Sequence, residues 1–194
     1  MRVTGGRFGG RALVTPADDR VRPTSDKVRQ AIFNMLAHND FGMGFALEGA
    51  RVADLFAGTG AMGIEAISRG ASFCMFIDEA TESRALLRRN VEALELTGVT
   101  KIWRRDATKL GPMSAGSGGP FELVFLDPPY RQNLVAPALT SLKEGSWLAA
   151  KALIIAECAE DEPEIAAEGF MKIDERAYGT TRTTFLVTGT SLNM

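Results

Sequence analysis

The chain has 194 residues, 45% hydrophobic and 24% charged, and its net charge is −2. These figures fit one soluble globular domain with room for a small appendage. They exclude a membrane span, since no run approaches the ~18 apolar residues required; "MRVTGGRFGG" also lacks an apolar signal core, so the expected location is the cytoplasm.

The charge is unevenly placed. Residues 1–30 carry Arg2, Arg7, Arg11, Arg20, Arg22, Lys27 and Arg29 against Asp18, Asp19 and Asp26, which leaves +4 there and −6 over the remainder. Glycine and phenylalanine interleave with arginine in "GGRFGGR". A basic, glycine-rich arm on an acidic body suits directional contact with an anion such as RNA. Around the arm's glycines, Val3 and Leu13-Val14-Thr15 read as the strands of a short hairpin.

"RPTSDKVRQAIFNML" reads as a helix start. Thr24 or Ser25 caps it, Asp26 suits its positive end, and Val28, Ile32, Met35 and Leu36 form an apolar stripe. "DFGMGFALEG" is a loop. From residue 50 strands and helices alternate. "RVADLF" is a strand and "GAMGIEAISRG" a helix; "SFCMFID" is a strand. The next helix, "EATESRALLRRNVEALELTG", has Leu87, Val91 and Leu94 on one face and Gly98 just past its end. "VTKIWRRD" is a strand, "GPMSAGSGGP" a surface loop, and "FELVFLD" a strand. Residues 131–144 are predicted helical and "ALIIAEC" a strand. A short acidic helix is then expected before a closing hairpin that turns at Tyr178-Gly179-Thr180. This alternation predicts a mostly parallel α/β sheet with helices on both faces.

"DLFAGTGAMG" ends one strand and opens a helix. Gly58-Thr59-Gly60-Ala61-Met62-Gly63 matches G-x-G-x-x-G, and Asp78 follows Gly58 by twenty residues, at the end of the next strand. That spacing suits a nucleotide whose ribose hydroxyls meet Asp78. Asp54 precedes the loop. It is awkward beside a pyrophosphate and comfortable beside a cation such as S-adenosylmethionine, or it is a buried acceptor for loop amides. Asp106, followed by Ala107, ends the third strand and either reaches an adenine amine or caps a turn.

"FLDPPY" places Asp127 at the end of the fourth strand. Pro128 and Pro129 lack N–H groups and have fixed φ, so this turn presents rigid acceptors outward. The Asp127 carboxylate and Pro128 carbonyl can take both hydrogens of an exocyclic amine, with Tyr130 stacked on the base. A plain proline turn ending a strand is the simpler alternative.

Together, "MRVTGGRFGGRAL", "VRPTSDKVRQAIFN", "DLFAGTGAMGIEAISRGA" and "FLDPPY" resemble the RsmD family of bacterial 16S ribosomal RNA guanine-N2 methyltransferases. The resemblance runs from residue 1 to about 130 and more loosely through the closing hairpin. It implies a Rossmann-like class I methyltransferase fold, a seven-stranded, mostly parallel sheet whose last strand is antiparallel, with the N-terminal hairpin as an extension. It implies residues 1–22 as a basic RNA-binding arm using Arg2, Arg7, Arg11 and Arg22, and residues 23–194 as the catalytic domain. S-adenosylmethionine is the implied methyl donor, held by Asp54, Phe56, Ala57, Gly58, Thr59, Gly60, Asp78, Glu79, Asp106, Ala107 and Asp127. Asp127, Pro128, Pro129 and Tyr130 form the implied catalytic turn; phenylalanine is also found in the family where Tyr130 stands. The implied substrate is 16S RNA in the 30S subunit or an assembly intermediate, with the enzyme a monomer. An adenine-N6 methyltransferase of DNA or RNA is the nearest alternative. A nicotinamide-dependent oxidoreductase explains the glycine loop but not the proline turn.

No His/Cys cluster has metal-ligand spacing, and no metal is expected. Cys74 and Cys158 read as buried thiols, Trp103 and Trp147 as packing residues, and His38 as a surface residue.

Overall fold

The computed structural model describes residues 1–16 and 25–189. The expected positions of Arg22 and Thr24 lie outside them. Among the described residues, seven strands form one sheet in the order β3-β2-β1-β4-β5-β7-β6. These are β1 (Arg51–Leu55), β2 (Phe73–Ile77), β3 (Thr100–Trp103), β4 (Phe121–Leu126), β5 (Leu148–Ala159), β6 (Phe170–Tyr178) and β7 (Thr181–Thr188). Strands β1 to β5 pair in parallel. Strand β7 runs antiparallel to both β5 and β6. The last strand is therefore reversed, as expected.

Alternate side chains of the central strands feed two cores, one on each face. Val52, Phe76, Leu123, Phe125 and Ile155 pack against helices α1 (Asp26–His38), α2 (Ala61–Ser68) and α3 (Thr81–Ala93). Ala53, Leu55, Met75, Val124, Leu126 and Ile154 pack against α4 (Val135–Glu144) and the fully buried Trp147. Both faces are covered, which is why these strands read as near-continuous apolar runs. Trp147 donates its Nε1–H to the Gly111 carbonyl at 2.8 Å and meets Trp103 edge-on at 6.0 Å, so both tryptophans pack rather than face a ligand.

Ser25 caps α1 by accepting the Val28 N–H. The buried face is Arg29, Ile32, Phe33 and Leu36, rotated from the expected stripe because Arg29 turns inward. Arg29 is fully buried, and its Nε lies 3.2 Å from the equally buried Glu65 of α2. Glu65 also accepts the Thr4 N–H and hydroxyl, both at 2.7 Å, and Arg69 Nε at 2.8 Å. This cluster ties the N-terminal segment, α1 and α2 together. Removing one partner of such a buried pair costs about 3–5 kcal/mol.

The N-terminal hairpin is smaller than expected. A single antiparallel bridge, Arg2 to Ala12, flanks a 3-10 turn at Gly6–Phe8. Side-chain docking replaces the missing ladder. Val3 and Leu13 enter the core, and Ser68 Oγ accepts the Phe8 N–H while donating to the Gly5 carbonyl. Gly6 sits at φ +72°, where a Cβ would lie 1.9 Å from the Ser68 carbonyl, so only glycine permits this approach.

Three further expectations are corrected. Helix α3 ends at Ala93 rather than near Gly98, with Glu95 at φ 57° and a 3-10 turn following at Thr97–Val99. Helix α4 starts at Val135, because Arg131 and Asn133 both adopt positive φ. The acidic helix before β6 is absent; no helix forms between β5 and β6, and β5 itself extends to Ala159. Pro163 lacks an N–H, and Arg182 Nη2 claims the carbonyls of Glu162 and Pro163 at 2.8 and 2.7 Å. The clustered carboxylates there also repel one another.

Candidate active site

The sheet order reverses between β1 and β4, and ligands of open α/β sheets bind beyond the carboxyl ends at such a point. Leu55 and Leu126 are register partners across this pair. The next residues, Phe56 and Asp127, therefore open the glycine loop and the proline turn at the same level, side by side.

The glycines of the loop serve different purposes. Gly60, at φ +79°, and Gly63 face inward: a Cβ would lie 2.2 Å from Leu87 Cδ1 at Gly60, and 2.4 Å from Phe76 Cε1 at Gly63. Gly58 faces outward at φ +54°, and an added Cβ would meet nothing nearer than the Phe56 carbonyl at 4.0 Å. It is the backbone that a ligand can approach. Phe56 holds φ 59°, a sparsely populated conformation for a non-glycine residue. Ala57 is buried and donates its N–H to the Ile77 carbonyl, tethering the loop to β2. Thr59 is half-buried, and its carbonyl accepts Asn90 Nδ2 at 2.9 Å.

Asp54 is buried beneath the loop and accepts the Gly63 N–H at 2.9 Å. Gly60, at the N-cap of α2, has no side chain to cap the helix, and Asp54 fills that role from β1. Burial pushes its carboxyl up to about 8, the Gly63 bond opposes this, and Asp78 adds to it.

Asp78 accepts the Gly58 N–H on Oδ2 and the Ala80 N–H on Oδ1, each at 2.8 Å. Each carboxylate oxygen keeps capacity for a further donor, as ribose hydroxyls require. Glu79 is exposed, and its carbonyl accepts Arg84 Nη1. Arg84 is buried; it also donates to the Asp78 carbonyl, so it braces the turn after β2. Asp106 caps the 3-10 turn Ala107–Lys109, accepting the Thr108 N–H at 2.8 Å and its hydroxyl at 2.6 Å on Oδ1. The Thr108 hydroxyl, then its N–H, hold the Asp106 carboxyl below its ordinary value. Ala107 is buried beside it.

Asp127 is half-buried, Pro128 buried and Pro129 exposed. Tyr130 is exposed, yet its hydroxyl lies 2.8 Å from Glu157 Oε1 and 3.0 Å from Thr181 Oγ1. Burial, then the Glu157 charge, push the phenol above its ordinary value.

Arg2, Arg7 and Arg11 are exposed on the surface. Arg2 Nη1 donates to the Gly10 carbonyl, Arg11 Nη2 donates to the Ala93 carbonyl, and the Arg7 guanidinium lies 4.6 Å over the Phe8 ring. Two points of the arm's described part, Met1 and Val14, connect to the glycine loop. Met1 Sδ lies 3.8 Å from Thr59 Oγ1, and Asn90 binds Val14 through both its amide atoms while holding Thr59.

Sequence reasoning missed Arg84, Asn90, Thr108 and Glu157. Asn90 and Arg84 carried a weak signal, being polar positions next to the apolar stripe of α3.

The reversed last strand and the sheet order are those of the class I methyltransferase fold. The open backbone at Gly58 and the acceptors Asp78 and Asp106 suit a nucleoside-bearing donor such as S-adenosylmethionine. The chain belongs to the RsmD family, whose model, described as Conserved hypothetical protein 95, matches residues 1–187. YlbH of Bacillus subtilis (strain 168) is 38% identical over 157 residues, covering 81% of this chain and 82% of that protein. Ribosomal RNA small subunit methyltransferase D of Escherichia coli (strain K12) is 34% identical over 157 residues, covering 81% and 74%. Among solved structures, yhhF from Escherichia coli superposes with a TM-score of 0.78 at 29% identity, covering 98% of this chain and 99% of that one.

Proposed function

We propose that the protein methylates the exocyclic N2 amine of a guanine in 16S ribosomal RNA, acting in the cytoplasm as a monomer on the 30S subunit or an assembly intermediate. The observation that carries this reading is the register match that sets the proline turn beside the open glycine loop. The relative named ribosomal RNA small subunit methyltransferase D supports RNA of the small subunit as the substrate.

S-adenosylmethionine, when bound, supplies an electrophilic methyl group on a sulfonium. Gly58 admits it to the backbone, Asp78 takes its ribose hydroxyls and Asp106 its adenine amine. The chain's own work is to orient the acceptor nitrogen. A guanine N2 amine has two N–H groups, and its lone pair is delocalised into the ring. The Asp127 carboxylate and the Pro128 carbonyl each accept one N–H. Both favour positive charge developing on the nitrogen, and the carboxylate takes the proton that leaves. This is positioning plus preorganised electrostatics, needing no strong base. Tyr130 supplies a flat apolar surface for the base. The base must be looped out or flipped to reach this turn.

Nucleoside analysis of 16S RNA from cells with and without the gene tests the reading. One 2-methylguanosine that depends on the gene is expected. A gene-dependent N6-methyladenosine would move the protein to the adenine class, and an unchanged nucleoside profile would refute the reading.

A further inference from the structure

Pro128 and Pro129 have no N–H, so the catalytic turn cannot be closed by its own first donors. The segment at the end of β5 supplies the closure. Leu126 is the register partner of Ala156, which sets Asp127 level with Glu157 across the β4–β5 pair. The Tyr130 hydroxyl donates to Glu157 Oε1 at 2.8 Å and contacts Thr181 Oγ1 at 3.0 Å. The next residue, Arg131, stands at φ 61° and is held by Glu162 Oε1, which accepts its N–H at 2.9 Å. The same Glu162 oxygen accepts the Ala159 N–H, fixing its position on β5.

Glu157 is only 7% exposed, and Tyr130 is 36% exposed. The phenol is thus anchored through its hydroxyl to a buried carboxylate while the residue itself stays exposed. A hydrogen bond to a buried carboxylate is among the stronger kinds, and it fixes where that ring lies. We infer that Glu157 is a positioning residue for methyl transfer, acting through the Tyr130 hydroxyl to hold the aromatic platform and the Asp-Pro-Pro turn in one pose. This rests on the proposed reading of that turn as the acceptor site. It assigns the tyrosine hydroxyl a purpose that ring stacking alone does not require.

The test uses the full-length protein and 30S particles. Glu157→Ala and Tyr130→Phe are each expected to lower kcat at saturating donor and RNA by roughly tenfold to a hundredfold, the scale of a hydrogen bond to a charged group. Affinity for S-adenosylmethionine stays unchanged. Glu157→Gln retains an acceptor and is expected to recover most of the turnover. The double variant Glu157→Ala/Tyr130→Phe should be no slower than either single variant, since the two residues act through one contact. Losses that multiply in the double variant, or a Glu157→Ala enzyme with lower Tm but wild-type kcat, would overturn the positioning role.

A second readout needs no activity. In a Tyr178→Phe background, absorbance titration reports Tyr130 alone, since the chain has 2 tyrosines. Glu157→Gln should lower the phenol's pKa towards its ordinary value, and an unchanged titration would overturn the contact. If the contact titrates as expected while the wild type transfers no methyl group to RNA, the functional reading fails instead.

Discussion

The Asp54 carboxylate accepts the Gly63 N–H at 2.9 Å, joining the end of β1 to the start of α2 under the glycine loop. Asp54 is buried, and its pKa rises from 3.8 to about 8. Between those values the folded protein holds a proton that the unfolded chain has released. The neutral acid's contribution is fully present below about pH 4 and is lost as pH rises towards 8, by up to about 1.4 kcal/mol per pH unit. Asp54→Asn keeps an acceptor for Gly63 and cannot ionise. Its denaturation midpoint should fall less than the wild type's between pH 4.5 and 7.5. Equal pH slopes would show that Asp54 does not titrate in this window.

Gly58 and Gly60 should separate binding from folding. Asparagine tolerates positive φ better than most residues, and at Gly58 its side chain would enter open space. Gly58→Asn is expected to weaken S-adenosylmethionine affinity at least tenfold, about 1.4 kcal/mol, with little change in Tm. Gly60→Ala drives a methyl group into Leu87 and should chiefly lower Tm. Calorimetry showing unchanged affinity in a folded Gly58→Asn protein would move the donor away from this loop.

Where the candidate residues lie could be read before any coordinates. Gly58, Asp78, Asp106 and Asp127 follow strands whose apolar runs are unmistakable, and strand ends converge in any doubly wound sheet. What could not be read depends on partners brought together only by packing. Gly63 as the donor to Asp54 requires knowing that the helix starts at Ala61 with no capping side chain. Arg29 counts in the sequence only as one of the cations of residues 1–30, yet it is fully buried because Glu65 meets it from another helix. Glu157 sits in an apolar strand, and nothing local announces that Tyr130 reaches it. The acidic stretch after β5 has helical composition, but Arg182, from a later strand, takes its carbonyls.

The arm offers a salt-dependent test. Arg2, Arg7 and Arg11 are exposed on a segment docked against α2 and α3. Replacing all three with alanine should flatten the salt dependence of RNA binding by about 2 units on a log–log plot, using ~0.7 per single-strand phosphate contact. S-adenosylmethionine affinity should not change, and the defect in methylating 30S particles should shrink as salt rises. Normal methylation at low salt would remove the arm from RNA docking.

The most direct measurement follows methyl incorporation into 16S RNA by purified wild-type and Asp127→Ala proteins, with nucleosides identified by mass spectrometry and donor affinity measured on the same preparations. The expected result is 2-methylguanosine from the wild type and a turnover lower by roughly 10²–10³ in the variant, the scale for losing one positioned polar group, at unchanged S-adenosylmethionine affinity. Asp127→Ala turnover within a few-fold of wild type, or a methylated nucleoside other than 2-methylguanosine, would contradict guanine-N2 transfer at this turn.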